Sequence, residues 1–212
     1  MTYRDRVDAG RQLGARLRDL QLDDPVVLGL PRGGVVVAAE VARALAAPLD
    51  IVVARKLGVP WQPELAFGAV APEVVVLQQD VLHAIGLEPG EIDAAVARET
   101  ARLGPLAARY RGDVPPLPLR DRTVILVDDG LATGATATAA ARSVKRAAPR
   151  RVVVAVPVAA APTAAVLRSE VDDVITLVEP RDFHAVGMFY DDFRPVSDEE
   201  VRERLAAHAR RV

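Results

Sequence analysis

The sequence predicts an α/β fold: a doubly wound, mainly parallel sheet in three layers, carrying an inserted helical arm. Three observations predict it. Short, wholly apolar runs such as VVLGL (26–30) and VILV (124–127) lack polar alternation and read as strands buried on both faces. They alternate with alanine-rich stretches of helical length, the order expected of βαβ units. At 212 residues, half of them hydrophobic, the chain is long enough for one domain with a sizeable core.

The elements follow in order. Val7, Leu13, Leu17 and Leu20 recur at roughly helical spacing, so residues 3–20 form an amphipathic helix. Strand 26–30 turns at PRGG (31–34) into a packed helix over 35–46. DIVVAR (50–55) is the next strand and completes a right-handed parallel βαβ unit. KLGVPWQPE (56–64), with two prolines and a glycine, reads as a loop, and 67–70 with 73–78 as a strand pair. Ile92, Val96, Leu103 and Leu106 mark a helical arm over 86–113, interrupted at Gly104-Pro105. PPLPLRDR (115–122) is a stiff connector, because proline fixes φ. Strand 123–128, helix 134–148, strand 151–158, helix 163–170 and strand 173–178 follow. Residues 179–193 are irregular and gather Phe183, Phe189 and Phe193 with Tyr190. Ser197 to Glu200 is a capping box that opens a last helix to about Arg211.

Composition excludes several classes. Net charge is −2 with both signs interspersed, so no basic block points to nucleic acid. The absence of cysteine excludes disulfides and thiolate metal sites. MTYRDRVDAG has no apolar core, so no signal peptide is expected. The longest apolar run, 152–167, falls short of a ~20-residue membrane span and contains Pro157 and Pro162. A soluble, cytoplasmic protein is the expectation.

The stretch VILVDDGLATGAT (124–136) carries the chemistry. Asp128 and Asp129 sit at the carboxyl end of a strand, where open parallel sheets place ligands. Gly130 to Thr136 then supplies a bend, hydroxyls and N–H groups at a helix start, which suit a phosphate. Carboxylates for hydroxyls followed by an anion cradle describe a sugar phosphate. The plainer reading is a turn with a helix cap; the surrounding pattern favours a ligand. PRGG is a second such turn or a Gly-Gly turn with a surface Arg. If one ligand touches both turns, strands 26–30 and 123–128 are neighbours at the switch point of the sheet. Lys56 beside Arg55 also reads as a solvated pair, and Glu64 as a surface carboxylate. Trp61 reads as packing and His184 as structural. Asp191-Asp192 reads equally as a ligand pair or as a turn before a helix. No zinc, nucleophile–His–acid, P-loop lysine or GxGxxG pattern is present.

Residues 124–136 resemble the phosphoribosyl pyrophosphate (PRPP) signature of type I phosphoribosyltransferases. The order of elements is also similar over most of the chain. The resemblance implies a single domain over 1–212, with a mobile loop and helical insertion at 56–122, a hood at 179–196 and a helix at 197–211. It implies that Asp128 and Asp129 bind the ribose hydroxyls, directly or through Mg²⁺ and water. Gly130, Ala132, Thr133, Gly134, Ala135 and Thr136 would hold the 5-phosphate, with Gly134 needed so that no side chain displaces it. Arg32, Gly33 and Gly34 look like the pyrophosphate loop, joined by Arg55 and Lys56. Glu64 would approach the base, and Phe183, Phe189 and Tyr190 would stack on a planar acceptor. Arg32, Lys56, Glu64 and the two aspartates are thus the implied catalytic set, and Mg²⁺ the implied cofactor.

Ala132 stands where 6-oxopurine members carry an acid, which argues against hypoxanthine or guanine. The implied activity is Mg²⁺-dependent transfer of phosphoribosyl from PRPP to a small nitrogenous acceptor. A PRPP sensor without turnover and a sugar-phosphate hydrolase are the alternatives. Apolar residues on the 86–113 arm suggest a homodimer.

Overall fold

The central strands, Pro25–Gly29, Thr123–Val127 and Arg151–Val158, send successive side chains to opposite faces, and both sets are almost wholly apolar, as a sheet covered on both sides requires. The computed structural model describes residues 2–59 and 61–209, apart from the side chains at 63, 64 and 209. The chain runs α1 (Arg6–Arg18), β1 (Pro25–Gly29), α2 (Gly33–Leu45), β2 (Leu49–Ile51), β3 (Arg55–Val59), β4 (Gln62–Ala71), β5 (Val74–Leu77), α3 (Gln79–Ile85) and α4 (Pro89–Arg111). It continues through β6 (Thr123–Val127), α5 (Ala135–Lys145), β7 (Arg151–Val158), α6 (Ala161–Glu170), β8 (Asp173–Val178), a 3₁₀ turn (Val186–Phe189) and α7 (Asp198–Ala209).

The main sheet is parallel, in the order β2-β1-β6-β7-β8. Val26 lies level with Val124, and Val124 with Val152. Val27, Ile125 and Val153 face Leu13 and Leu17 of α1 and Val37 and Val41 of α2. Their neighbours Val26, Val124 and Val152 face Ala140 and Val144 of α5 and Leu167 of α6. From β1 the chain winds out to β2, and from β6 it winds the other way to β7 and β8. β1 and β6 are therefore neighbours at the switch point, where the two phosphate-type turns need them.

The insertion differs from expectation. Of the described residues in 56–64 only Trp61 is turn: 56–59 belong to β3 and 62–64 to β4, which with β5 form a second, antiparallel sheet, and residue 60 lies outside the described residues. Leu57 and Val59 are buried while Lys56 is exposed, the period of a strand with one covered face. One face of this sheet presents Leu57, Phe67 and Val70 to Ala95, Leu103 and Tyr110 of α4. The other sets Ala69 and Ala71 against Ala135 and Ala139 of α5. β2 is also shorter than the strand read at 50–55, since the chain crosses to the second sheet after Ile51.

α4 runs unbroken through Pro105, where an interruption was expected. Gly104 and Pro105 are exposed, so the missing N–H is lost on the solvent side. Leu103 and Tyr110, buried on the inner side, hold the helix in place on either side of Pro105. The same packing covers the apolar stripe that suggested a homodimer, within the chain itself. Among the described residues no helix is long and apolar enough to cross a membrane.

Candidate active site

The site forms where the ends of β1 and β6 lie side by side. Leu30 N–H donates to the Val127 carbonyl at 2.9 Å, which keeps the two strand ends in step. The turn Pro31–Gly34 then folds directly over Asp128 and Asp129. A Cβ on Gly33 would stand 1.9 Å from Asp129 Oδ2, and one on Gly34 would stand 2.8 Å from both Asp128 Cα and the Val127 carbonyl. Glycine is required here by close approach between two loops, not by backbone dihedrals.

The two carboxylates are held differently. Asp128 Oδ1 accepts from the N–H of Asp129 at 2.9 Å. Asp129 Oδ2 accepts from Arg6 Nε at 2.7 Å, and the Asp129 carbonyl accepts from the Tyr190 hydroxyl at 2.6 Å. Burial, together with the charge of Asp129, pushes Asp128 well above the ordinary carboxylate range. Burial also raises Asp129, and the Arg6 guanidinium opposes that rise. Arg6 was not singled out from sequence. It lies 123 residues from its partner, and no local pattern separates it from other helical arginines.

Beyond the acids, Leu131 is tied at both ends to its neighbours: its N–H donates to the Val158 carbonyl and its carbonyl accepts from Ala160, each at 2.9 Å. Ala132 and Thr133 are exposed, and Gly134 caps α5. Gly134 has φ +71°, and a Cβ on it would lie 2.5 Å from Thr163 Cγ2. Its glycine is thus required by backbone conformation and by the approach of α6. The first N–H groups of α5 have no intrahelical partner and remain available to an anion.

A cavity of about 360 Å³ is lined by Leu30, Pro31, Ala54, Arg55, Lys56, Asp128 and Thr136. β3 thereby delivers Arg55 and Lys56 to the signature loop. Lys56 is exposed in it, whereas Arg55 Nε is engaged by Glu99 of α4 at 2.6 Å. Arg32 leans instead toward α7, 3.8 Å from Asp198, which also pairs with Arg109 at 2.9 Å. Glu64 lies in β4, and its side chain is outside the described residues.

The hood folds onto the signature loop, since a Cβ on Gly130 would meet Val186 at 2.6 Å. Phe183 and Phe189 stack with centroids 5.8 Å apart and are partly exposed. Tyr190 does not share the stacking role expected of it. It is buried against Tyr3 and Phe193, and its hydroxyl serves Asp129. Trp61, read as packing, is 62% exposed. Asp192 is paired with Arg194 and serves the turn, while Asp191 contributes its backbone N–H to the Tyr3 carbonyl.

Glu99 is the buried anchor of the insertion. Burial alone would raise its pKa, but Arg55, Arg98 and Arg102 outweigh it and hold the carboxyl below its ordinary value. A depressed carboxylate stabilises the fold above its unfolded pKa, and that contribution disappears as pH falls through the folded value. Glu99→Gln is expected to cost about 1–2 kcal/mol at pH 7, between exposed and buried pairs because the arginines are half-exposed. Thermal melts of both proteins from pH 7 to 3 check this: the gap narrows below about pH 4.3. A gap that stays constant with pH would refute the role.

Comparisons with known proteins agree with this architecture. A family model described as a phosphoribosyl transferase domain matches residues 5–194. Two Mycobacterium tuberculosis proteins, provisionally named phosphoribosyl transferases, are each 46% identical over 200 residues. That is 94% of this chain and 45% of theirs, so the chain spans about half the length of these curated relatives. The crystal structure of TT1426 from Thermus thermophilus is 45% identical, with a TM-score of 0.81 over 98% of this chain and 99% of that one. AQ2163 from Aquifex aeolicus, 13% identical, has the same fold at a TM-score of 0.53, over 93% of this chain and 82% of that one. With a family model matched from α1 to the hood, the chain belongs to the phosphoribosyl transferase family.

Proposed function

We propose that the chain transfers the 5-phosphoribosyl group of PRPP to a nitrogenous base, releasing pyrophosphate, with Mg²⁺ as cofactor. The observation that carries this reading is the stacking of one anion-type turn, Gly33-Gly34, on the paired acids that open another. One ligand with a phosphate, a diol and a pyrophosphate accounts for both turns and for the acids between them.

Asp128 and Asp129 accept hydrogen bonds from the ribose hydroxyls. The N–H groups from Ala132 to Thr136 and the hydroxyls of Thr133 and Thr136 hold the 5-phosphate. The pyrophosphate meets Gly33, Gly34 and Lys56. Arg32 joins them by leaving a half-exposed, 3.8 Å pairing that costs little to break. Arg55, held by Glu99, supports the wall of the cavity. In the transfer the bond from C1 to the pyrophosphate oxygen breaks with its electron pair. The lone pair of the base nitrogen forms the new C1–N bond and that nitrogen gives up its proton to solvent, so the residues chiefly position groups and stabilise departing charge.

The donor set suits Mg²⁺. Asp128 and Asp129 are hard oxygen donors, and no cluster of three His, Cys, Asp or Glu side chains occurs among the described residues. Mg²⁺ favours such a site, taking its remaining ligands from water and substrate phosphates. Asp128 and Asp129 would hold it, and when bound it neutralises charge on the departing pyrophosphate.

Incubation with PRPP, Mg²⁺ and a panel of bases tests the proposal. Pyrophosphate release that depends on one base is expected. Binding of PRPP without release favours the sensor, and release without any base favours hydrolysis; either result overturns the transfer reading.

A further inference from the structure

One side chain, Arg6, ties the second signature acid to parts of the chain far from its own loop. Arg6, in the first turn of α1, donates from Nε to Asp129 Oδ2 at 2.7 Å and from Nη1 to the Arg194 carbonyl at 2.9 Å. Its guanidinium lies 3.8 Å from the Phe193 ring centroid, a cation–π distance, and its side chain is only 11% exposed. The segments carrying these residues are laced together: Tyr3 N–H donates to the Phe189 carbonyl, Asp191 N–H to Tyr3 and Asp192 N–H to Arg4, all within 2.9 Å. The guanidinium is therefore oriented from two sides, by the Arg194 carbonyl and the Phe193 ring, as it meets the carboxylate.

The consequence falls on the oxygens of Asp129. Oδ2 is committed to Arg6, beneath Gly33. The Asp128 carboxyl is the side-chain neighbour of Asp129, and no N–H or hydroxyl among the described residues donates to Oδ1. One oxygen is gripped by Arg6 and the other is left for a ligand. A carboxylate anchored in this way loses little rotamer freedom when a ligand hydroxyl arrives.

We propose that Arg6 is a positioning residue for the sugar site. It fixes the rotamer of Asp129 so that Oδ1 faces the ribose diol, and it links that rotamer to the placement of the hood. The inference rests on the PRPP reading above. Arg6 touches neither PRPP nor the base; it acts through Asp129.

A double-mutant cycle on PRPP affinity, measured by calorimetry with Mg²⁺, tests it. Arg6→Gln is expected to weaken binding about tenfold in the wild-type background, as loss of a charge-assisted, bidentate-capable donor does. In the Asp129→Asn background the same change is expected to cost less than about twofold, because the group being positioned is already altered. Arg6→Lys, which keeps the charge but not the planar fork, restores part of the loss. Thermal melts identify any variant that fails to fold, and Arg6→Lys then carries the cycle. Equal losses in both backgrounds mean a structural role only and overturn the inference. So does undiminished PRPP binding by Arg6→Gln, with the PRPP reading left standing. A wild-type protein that shows no PRPP heat overturns both.

Discussion

Asp128→Asn is expected to lower turnover at least about a hundredfold while leaving the protein as stable as before, or more so. Loss of one preorganised charge contact at the reacting sugar costs ~3 kcal/mol in the transition state. The stability half of the expectation comes from the packing of the site. Asp128 is recessed beside a second carboxylate, and burial and that charge outweigh the opposing field of Arg6, which is paired with Asp129. An amide of the same shape keeps the oxygen that accepts from Asp129 N–H and removes a charge that burial disfavours. Asp129→Asn is expected to lose turnover equally but to melt several degrees lower. It leaves the Arg6 guanidinium, 11% exposed, with a neutral partner, at about 1–3 kcal/mol. Base-dependent pyrophosphate release and thermal melts on the three proteins check both halves. Wild-type turnover in Asp128→Asn would refute its catalytic assignment, and identical melting of the two variants would refute the asymmetry.

Gly34→Ala is expected to abolish detectable PRPP binding and to destabilise the fold. The added Cβ would lie 2.8 Å from Asp128 Cα and from the Val127 carbonyl, both backbone atoms at the end of a central strand. No flexible side chain can yield, so the β1–α2 turn must move off β6. Forced overpacking of this kind costs about 1–3 kcal/mol, a drop of several degrees for a chain of this length. A displacement of even ~1 Å between the pyrophosphate turn and the two acids costs about a hundredfold in binding and rate. Gly90→Ala serves as the control, because its Cβ would meet nothing within 4 Å and it lies in the first turn of α4. It is expected to bind PRPP normally and to melt at or slightly above the wild-type temperature. Calorimetry with PRPP and Mg²⁺ on both variants decides, and normal binding by Gly34→Ala would sink the stacked-turn account of the site.

The main sheet was legible because strands buried on both faces leave unbroken apolar runs, and VILV (124–127) can hardly be anything else. The adjacency of β1 and β6 was legible for a chemical reason, since two anion-type turns that serve one ligand must meet. β3 was not legible. Its four-residue alternation was too short to outweigh the glycine and prolines around it, and the apolar faces of α4 and α5 decided the matter. The unbroken α4 has the same origin: packing of Leu103 and Tyr110 outweighs the local preference of Pro105.

Asp128, Asp129, Gly33, Gly34 and the small-residue loop to Thr136 stand out from the linear chain alone, because their chemistry is compressed into short, ordered stretches. The sequence by itself therefore determined the layered α/β plan and the family to which that plan belongs. Only the tertiary structure decided that Arg6 grips Asp129, that Tyr190 serves its backbone, that Glu99 restrains Arg55, and that Lys56 shares a cavity with Asp128. Each of these pairs groups from distant parts of the chain. Partners so far apart leave no local period or motif, and they become neighbours only when burial of apolar surface has folded the layers together.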